Sequence, residues 1–468
     1  MLKFRNIALI FVLALFTISG VLAQDATEEA VTSDTAAAGT IAEIAAANPE
    51  LSKLVELLEA AGLTEALNTT DAQYTVFAPT NEAFAAFPQY ALDYLSANPE
   101  LLTSVLNYHV VEGAVLSTDV TESTTAATTA GSDLALTVTS SGLKVDAANV
   151  VTADVQASNG VVHVIDSVLV PAVAELPAVD ALSVTGDIVA AGSSTVYPLT
   201  QRIADEFIAE GYSGNITVES IGTGGGGERF CVNVETDVWN ASRPAKAEEA
   251  ESCAANGLEL VEFVVATDAL AVVVSSTNDF VENLTFEQLT RIYSGEAATW
   301  DQIDPSFPAE TIQLYSPGTD SGTYDYFVEA VFDSNEEPIQ SANVNFSEDD
   351  NVLVTGVEGS PYAIGYFGFA YFQENQGNLR AVSIEGVQPN EETGATGEYP
   401  LSRPLFIYSA PSVLAAKPQV AAYINYYLQT ANAQLGGGAD QIGYIPVEAY
   451  ITSKNALLLQ AALADVVQ

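Results

Sequence analysis

The sequence predicts a mixed α/β protein with two globular regions, and three observations support this prediction. Short apolar strands such as Ile188–Ala191 alternate along the chain with helices that carry one apolar face. A connector rich in proline and alanine, PAVAELPAVDAL at residues 171–182, separates an N-terminal region from a longer C-terminal one. The chain has 468 residues, of which 48% are hydrophobic and 9% aromatic, so each region can bury its own core.

The charge of the chain is strongly negative. It has 61 acidic and 13 basic residues, which gives a formal net charge of −48. Nucleic acids and anionic membrane surfaces are repelled by such a surface, so neither is expected as a partner.

The first 23 residues have the features of a secretory signal peptide. Lys3 and Arg5 precede an apolar run at residues 7–18, and small residues lead to Ala23. The run is too short to span a bilayer comfortably, and no cysteine follows the cleavage site. We therefore expect a soluble mature protein that is secreted to the periplasm, the extracellular space or the cell surface. Residues 24–37 are predicted to be an acidic linker without a core.

The chain contains two cysteines, Cys231 and Cys253. In an exported protein the default expectation is one disulfide, and the alternative is two buried free thiols. A bridge that closes a loop of about 23 residues would contribute roughly 3 kcal/mol to stability.

The N-terminal region, residues 38–173, contains two helices with the same opening, Asn-Pro-Glu-Leu at 48–51 and at 98–101. In each, asparagine is a good N-cap, proline fits the first helical position, and glutamate complements the helix dipole. The first helix is expected to end at Gly62. Alternating strands follow the second helix.

Three strings in this region are TVFAPTNEAF (75–84), NYHVVEG (107–113) and GVVHVIDSVLVP (160–171). In this order and spacing they resemble a fasciclin domain. The resemblance implies a seven-stranded β-wedge with helices, a role in adhesion or matrix attachment, and no catalytic residues. His109 and His163, the two histidines of the chain, lie within these strings and are expected to be structural.

The C-terminal region, residues 183–468, contains three turns that favour an anion. Gly192–Thr195 follows an apolar strand and opens a helix, and Ser321–Thr323 opens another. A helix N-terminus carries free N–H groups and about half a positive charge. The remaining turn, which is the second in chain order, is the glycine run 222–227, for which an anion-cradling backbone and a flexible loop are both open.

The strings GSSTVYPL, SIGTGGGGERF, DVWNASRP, SPGTDSGTYDYF and YPLSRPLFIY resemble the substrate-binding protein of bacterial phosphate ABC transporters. The resemblance implies a periplasmic-binding-protein fold of two lobes joined by a hinge, with residues 183–267 and 401–468 in lobe 1 and residues 268–400 in lobe 2. It implies inorganic phosphate in the cleft, an ABC permease as partner, and neither a cofactor nor a metal. Residues 174–182 would be the linker to the fasciclin domain.

The resemblance assigns phosphate contacts residue by residue. The assigned residues are Ser193, Ser194, Thr195, Thr223, Gly224, Ser321, Gly322 and Thr323. Two positions depart from the family pattern: Pro317 replaces an arginine, and Arg243 replaces an acidic residue. We therefore predict Arg243 as the cation of the site, with Arg229 as its nearest rival. The acidic acceptor for a protonated phosphate oxygen has no evident replacement.

The leading prediction is thus a secreted phosphate receptor that carries a fasciclin module. One alternative is a receptor for sulfate or another oxyanion, and a second is an adhesion protein with a vestigial binding fold. A secreted phosphatase is disfavoured because the C-terminal region has no histidine and no two-metal pattern of ligands.

Overall fold

The computed structural model describes residues 39–464, except 140, 141, 173–175, 177, 320, 348 and 437–440. The predicted signal peptide and acidic linker therefore lie outside the described residues. No helix in the described part of the chain has the length and apolar surface that a membrane span requires.

The N-terminal region forms one seven-stranded sheet with helices packed on it. Its strands are β1 (Tyr74–Pro79), β2 (Val110–Glu112), β3 (Thr124–Ala127), β4 (Asp133–Thr139), β5 (Gly142–Val145), β6 (Ala148–Ala157) and β7 (Gly160–Ile165). Its helices are α1 (Ile41–Ala47), α2 (Ser52–Ala60), α3 (Thr64–Asn68), α4 (Asn81–Ala86), α5 (Gln89–Ala97) and α6 (Pro99–Tyr108). The strand order is β2-β1-β7-β6-β5-β4-β3, with β1 and β7 parallel, which matches the expected seven-stranded sheet.

The predicted helix signals have the expected geometry at the first helix. The Asn48 side chain accepts a hydrogen bond from the Glu50 N–H at 3.0 Å and caps a short 3₁₀ turn that leads into α2. The chain leaves α2 at Gly62, whose φ of +70° favours glycine. Asn98 precedes α6, but its side chain donates to the Tyr94 carbonyl instead of capping the helix.

Both histidines are structural, as expected. The buried His109 ring contacts the Val105 carbonyl through Nδ1 and accepts from the Leu169 N–H through Nε2, which fixes a neutral tautomer. Burial lowers the pKa of His109 to about 4. His163 makes the opposite assignment: its Nδ1 accepts from the Asp154 N–H and its Nε2 contacts the Val115 carbonyl.

The C-terminal region is built on a nine-stranded sheet, with a separate pair of short strands. Its strands are β8 (Ile188–Gly192), β9 (Ile216–Ser220), β10 (Val238–Ala241), β11 (Val261–Ser275), β12 (Asn283–Leu284), β13 (Gln313–Pro317), β14 (Val344–Ser347), β15 (Ala363–Gly368), β16 (Leu379–Ala381), β17 (Ser383–Ile384) and β18 (Ser402–Ser409). The order is β14-β13-β15-β11-β18-β10-β8-β9, β16 also pairs with β11, and β12 pairs with β17.

Helices connect and cover the strands of this region. They are α7 (Tyr197–Ala209), α8 (Thr223–Gly227), α9 (Ala247–Ala255), α10 (Phe286–Tyr293), α11 (Gly322–Phe332), α12 (Glu337–Ser341), α13 (Asp350–Glu358), α14 (Phe369–Glu374), α15 (Glu391–Ala395), α16 (Pro411–Ala416), α17 (Pro418–Thr430) and α18 (Ala449–Ala464).

The long strand β11 joins two lobes. Its first part, residues 261–269, pairs with β18, and its second part, residues 270–274, pairs with β15. A bulge interrupts the first ladder between Val264 and Ala266. The change of partner lies close to the predicted lobe boundary at residues 267 and 268. The two halves that meet on β11 therefore correspond to lobe 1 and lobe 2, and β11 contains the hinge.

Each lobe has a densely packed core. In lobe 1, the apolar stripe expected on α7 from Leu199, Ile203, Phe207 and Ile208 buries its first three members, whereas Ile208 is 43% exposed. In lobe 2, Phe327 stacks on Tyr366 with 3.8 Å between ring centroids. The Cys231–Cys253 disulfide is present and confirms the predicted pairing. It braces α9 against the segment that follows the glycine run.

The N-terminal region is not a separate body attached by a spacer. The described residues form one compact unit, and one buried apolar cluster contains Leu95 and Val168 of the N-terminal region together with Leu457 of α18. Ala181 of the connector is also buried in this cluster. The connector is therefore not a free spacer between the two regions, because helix α5 packs on helix α18.

Candidate functional site

The first predicted turn is shaped by a close approach of two strands. At Gly192, φ is +145° and a Cβ atom would lie 2.0 Å from the Asn240 carbonyl oxygen, so only glycine fits. The Ser193 N–H donates to that carbonyl at 2.9 Å, and the chain then enters α7. The side chains of Ser193 and Thr195 are buried at this turn. The turn therefore places hydroxyl groups at the start of a 13-residue helix.

The glycine run is helical, which neither sequence interpretation anticipated. Residues 223–227 form α8, and residues 228–232 continue as a turn of π-helix. Glycines allow this because the run lies against neighbouring backbone: a Cβ at Gly226 would be 2.6 Å from the Gly192 Cα. The Thr223 hydroxyl lies 3.1 Å from the Ser242 hydroxyl, and the Thr223 carbonyl accepts from Trp239 Nε1 at 2.8 Å. Thr223 therefore ties the second turn to the strand that leads to Arg243.

The third predicted turn opens α11 in lobe 2. Ser321 is the N-cap, as predicted, and its Oγ accepts from the Thr323 N–H at 3.2 Å. A Cβ at Gly322 would lie 3.0 Å from Thr195 Oγ1, so the start of α11 abuts the first turn. The two predicted turns from different lobes are thus brought together.

A cavity of about 240 Å³ lies between the lobes at these turns. Its lining residues are Ser193, Ser194, Thr195, Gly222, Thr223, Gly224, Ser242, Arg243, Asp325, Glu329, Ser334 and Arg403. Six of the nine predicted phosphate contacts line it. Ser321, Gly322 and Thr323 do not, although their helix contributes Asp325 and Glu329 from its following turns.

The predicted cation, Arg243, lines the cavity from lobe 1. Its guanidinium makes a two-point ion pair with Glu249, with Nη2–Oε1 at 2.8 Å and Nη1–Oε2 at 2.9 Å. The hydrogen bond that Arg243 donates to Glu249 raises the pKa of Arg243. Partial burial would raise the pKa of Glu249, but the hydrogen bonds from Arg243 and the Lys246 backbone outweigh it and lower that pKa. Arg243 is therefore held in place and fully charged.

A second cation, Arg403, also lines the cavity, and sequence reasoning missed it. Its guanidinium donates to Thr195 Oγ1 at 3.0 Å and pairs with Glu329 at 2.9 Å and with Asp268 at 3.4 Å. It also stacks over the Tyr326 ring at 3.8 Å. Arg403 thus contacts lobe 1, lobe 2 and the hinge strand at once.

The signal for Arg403 was in the sequence. The tripeptide Ser-Arg-Pro occurs at residues 242–244 and again at 402–404, in a chain with only 13 basic residues. Antiparallel pairing of Ala241 with Phe406 brings the end of β10 beside the start of β18, so both arginines reach the same cavity. Arg229 pairs with Glu219 and Glu235 and does not line the cavity.

Acidic groups are also present, contrary to the expectation that the site has no acidic acceptor. Asp325 lines the cavity and its Oδ2 accepts from the Ser194 hydroxyl at 3.1 Å. Glu329 lines it as well, and Asp268 is buried behind Arg403. Burial raises the pKa of Asp268, and the charge of Arg403 opposes that rise only in part. Arg243 occupies the position after Ala-Ser where the family pattern has an acidic residue. In this chain the acidic side chains at the cavity come from helix α11.

Comparison with known proteins agrees with the two-part architecture. The fasciclin domain profile matches residues 49–171, and the profile of the PBP superfamily domain matches residues 123–430. Protein SphX of Synechococcus elongatus is 41% identical over 272 residues, which cover 56% of this chain and 78% of that protein. The phosphate-binding protein PstS of Staphylococcus saprophyticus is 33% identical over 287 residues, which cover 60% of this chain and 86% of that protein.

Solved structures give the same result. The crystal structure of a possible phosphate binding protein from Planctomyces limnophilus is 38% identical and aligns with a TM-score of 0.56. The alignment covers 60% of this chain and 99% of that one. Both resemblances found in the sequence are thereby confirmed. The chain belongs to the PBP superfamily, among the relatives of SphX and PstS, and carries a fasciclin domain ahead of the binding-protein fold.

Proposed function

We propose that this protein captures inorganic phosphate in the interlobe cavity and delivers it to an ABC permease. The observation that carries the proposal is the pair of arginines, Arg243 and Arg403, which converge on one cavity in a chain of net charge −48. An anion approaching so acidic a protein meets a repulsive background, and full positive charges in the cleft offset it. The hydroxyl groups of Ser193, Thr195 and Thr223 supply neutral donors around them.

Phosphate also suits the acidic part of the lining. Near neutral pH phosphate carries one or two negative charges and keeps a proton on at least one oxygen, whereas sulfate has no proton to donate. A carboxylate such as Asp325 accepts a hydrogen bond from the protonated oxygen and repels an anion without one. We therefore propose Asp325 as the acceptor that favours phosphate over sulfate.

Titration of the full chain tests the proposed ligand. Calorimetry with phosphate at near-physiological salt should give saturable binding with one site per chain, and a parallel titration with sulfate should give much weaker binding. Phosphate should also raise the melting temperature, because a ligand that binds only the folded state stabilises it. The proposal fails if phosphate gives neither heat nor a thermal shift, and equal binding of sulfate would make the site a general oxyanion site.

Replacement of Asp325 tests the selectivity. In Asp325→Asn the negative charge is lost, so sulfate should bind more tightly and the preference for phosphate should fall about tenfold or more. The measurement is the ratio of the two dissociation constants from calorimetry. Asp301→Asn, in lobe 2 but outside the cavity lining, is the matched control and should leave the ratio unchanged. An unchanged ratio in Asp325→Asn would place the acceptor at Glu329 or elsewhere.

The fasciclin module is proposed to hold the receptor at the cell surface or matrix, which keeps captured phosphate close to the permease. This part of the proposal rests on the match to the fasciclin domain. Binding of the full chain to cell-wall or matrix preparations, measured with and without an antibody fragment directed at the fasciclin domain, tests it. Equal retention with and without the antibody fragment would remove the attachment role and leave phosphate capture untouched.

A further inference from the structure

The fasciclin domain contacts both lobes of the binding-protein fold, and its two contacts differ in character. On lobe 1 the contact is apolar: α5 packs on α18, and Leu95 and Val168 share a buried cluster with Leu457. Such a contact keeps its partners together as one body, because separating them would expose core surface to water. The fasciclin domain and lobe 1 therefore move as a unit.

The contact with lobe 2 is polar. Lys144 Nζ on β5 donates to the Thr396 carbonyl at 2.5 Å, and the Ser123 hydroxyl donates to Glu392 Oε1 at 2.9 Å. Both lobe 2 partners belong to α15 or directly follow it. Hydrogen bonds of this kind, partly exposed to water, form and break at small net cost.

Helix α15 lies at the hinge. It packs on β11 and β18, the two strands on which the lobes meet, and a Cβ at Gly394 would be 2.5 Å from Ile445 Cδ1. Ile445 in turn pairs with Thr267 on β11. A rotation of lobe 2 about β11 therefore displaces α15 relative to lobe 1 and to the fasciclin domain docked there.

The lobes touch in this structure. Ser194 of lobe 1 bonds to Asp325 of lobe 2, and Arg403 bonds to Glu329 across the same cavity. The bonds from Lys144 and Ser123 to α15 are present in this arrangement.

We propose that Ser123 and Lys144 form a latch by which the fasciclin domain, fixed to lobe 1, holds lobe 2 in the closed arrangement. Only the effect of the latch on phosphate affinity rests on the proposed function. If closure is favoured before the anion arrives, less of the binding free energy is spent on closing, and the apparent affinity rises. By reciprocity, a molecule that pulls the fasciclin domain away from α15 lowers the affinity for phosphate.

Charge around Lys144 supports its part in the latch. Asp146 of the fasciclin domain and Glu448 of lobe 1 lie at the same junction, where they line one cavity of about 220 Å³. Burial raises the pKa of Glu448, the charges of Asp146 and Glu392 raise it further, and Lys144 opposes the rise. Removing the Lys144 charge leaves these carboxylates to repel one another across the junction.

The test uses the full chain with a spin label on each lobe. The two native cysteines form the disulfide, so Ile208→Cys on α7 and Val352→Cys on α13, both at exposed positions, give specific labelling sites. In the absence of phosphate, Lys144→Met and Ser123→Ala together should shift the distance distribution between the labels away from the closed value. Phosphate affinity should fall about threefold to tenfold.

Two controls separate the latch from other effects. Lys53→Met removes another fasciclin lysine, paired with Glu56 inside α2, and should change neither readout. Lys144→Arg keeps a charged donor and should recover the closed distances. Unchanged distances in the double variant would overturn the latch, whatever the affinity. If the parent chain binds no phosphate, the proposed function fails, but the distances still decide the latch.

Discussion

Arg403→Ala should cause a large loss of phosphate affinity together with a loss of stability. The affinity is expected to fall by about 2–5 kcal/mol, or roughly 30-fold to a few thousand-fold, because a desolvated charge partner of the anion is removed. The same change leaves the buried Asp268 without its cation and Glu329 without its partner across the cleft. Removing one partner of a buried pair typically costs about 3–5 kcal/mol of stability. Calorimetry and thermal unfolding measure the two effects.

A half-buried arginine in lobe 2 provides the matched control. Arg380 donates to the carbonyl groups of Asn278 and Val281 in lobe 2 and does not line the cavity. Arg380→Ala should lower stability without changing phosphate affinity. Arg403→Lys keeps the charge but loses the planar fork, so it should recover part of both losses. Normal phosphate binding by folded Arg403→Ala protein would exclude Arg403 from the site.

Much of the fold could be predicted from the sequence because the local signals agree with the packing. The strand before Gly192 and the helix that opens after Thr195 have the predicted positions. Ser321 caps α11, and Gly62 ends the helix that Asn48 opens. In each case one residue type satisfies a local backbone requirement, so the signal needs no knowledge of distant contacts.

The packing of the N-terminal region against the C-terminal region could not be predicted in this way. The connector at residues 171–182 has the composition of a spacer, but Ala181 is buried. Helix α18 presents buried residues around most of its circumference, including Leu457, Leu458 and Leu459. Such a helix needs partners on several sides. Composition does not reveal that one of those partners is α5 of the fasciclin domain.

The candidate site could also be predicted only in part. The hydroxyl-bearing turns were found because each has a local pattern, and most of them line one cavity. Arg403 was missed because the repeated Ser-Arg-Pro does not by itself show that β18 pairs with β10 and β11, and that pairing brings both arginines to one cavity. Asp325 and Glu329 of α11 could not be predicted from the family pattern, because that pattern places the acidic residue at the position that Arg243 occupies in this chain.

Arg243→Ala should weaken phosphate binding by about 2–5 kcal/mol, because Arg243 is the second full positive charge at the cavity. In the described contacts, Arg243 uses three of its five N–H groups in hydrogen bonds to Glu249 and Pro244. The other two N–H groups can donate to the anion. The loss of the guanidinium also leaves the Glu249 carboxylate near the cavity, where it repels phosphate. Stability should change less than in Arg403→Ala, because the Arg243 side chain is 23% exposed against 10% for Arg403. Calorimetric titration of the folded variant gives the affinity.

Arg229→Ala is the matched control for Arg243. Arg229 also lies in lobe 1 and pairs with two glutamates, Glu219 and Glu235, but it does not line the cavity. Its replacement should leave phosphate affinity within experimental error. The double replacement Arg243→Ala with Glu249→Ala should bind more tightly than Arg243→Ala alone, because the unpaired carboxylate is removed with its partner. Lysine at position 243 should restore only part of the affinity, since an ammonium group lacks the fork that holds Glu249 and an anion together. If Arg243→Ala binds phosphate as tightly as the parent chain, Arg403 is the cation of the site and Arg243 serves only the ion pair with Glu249.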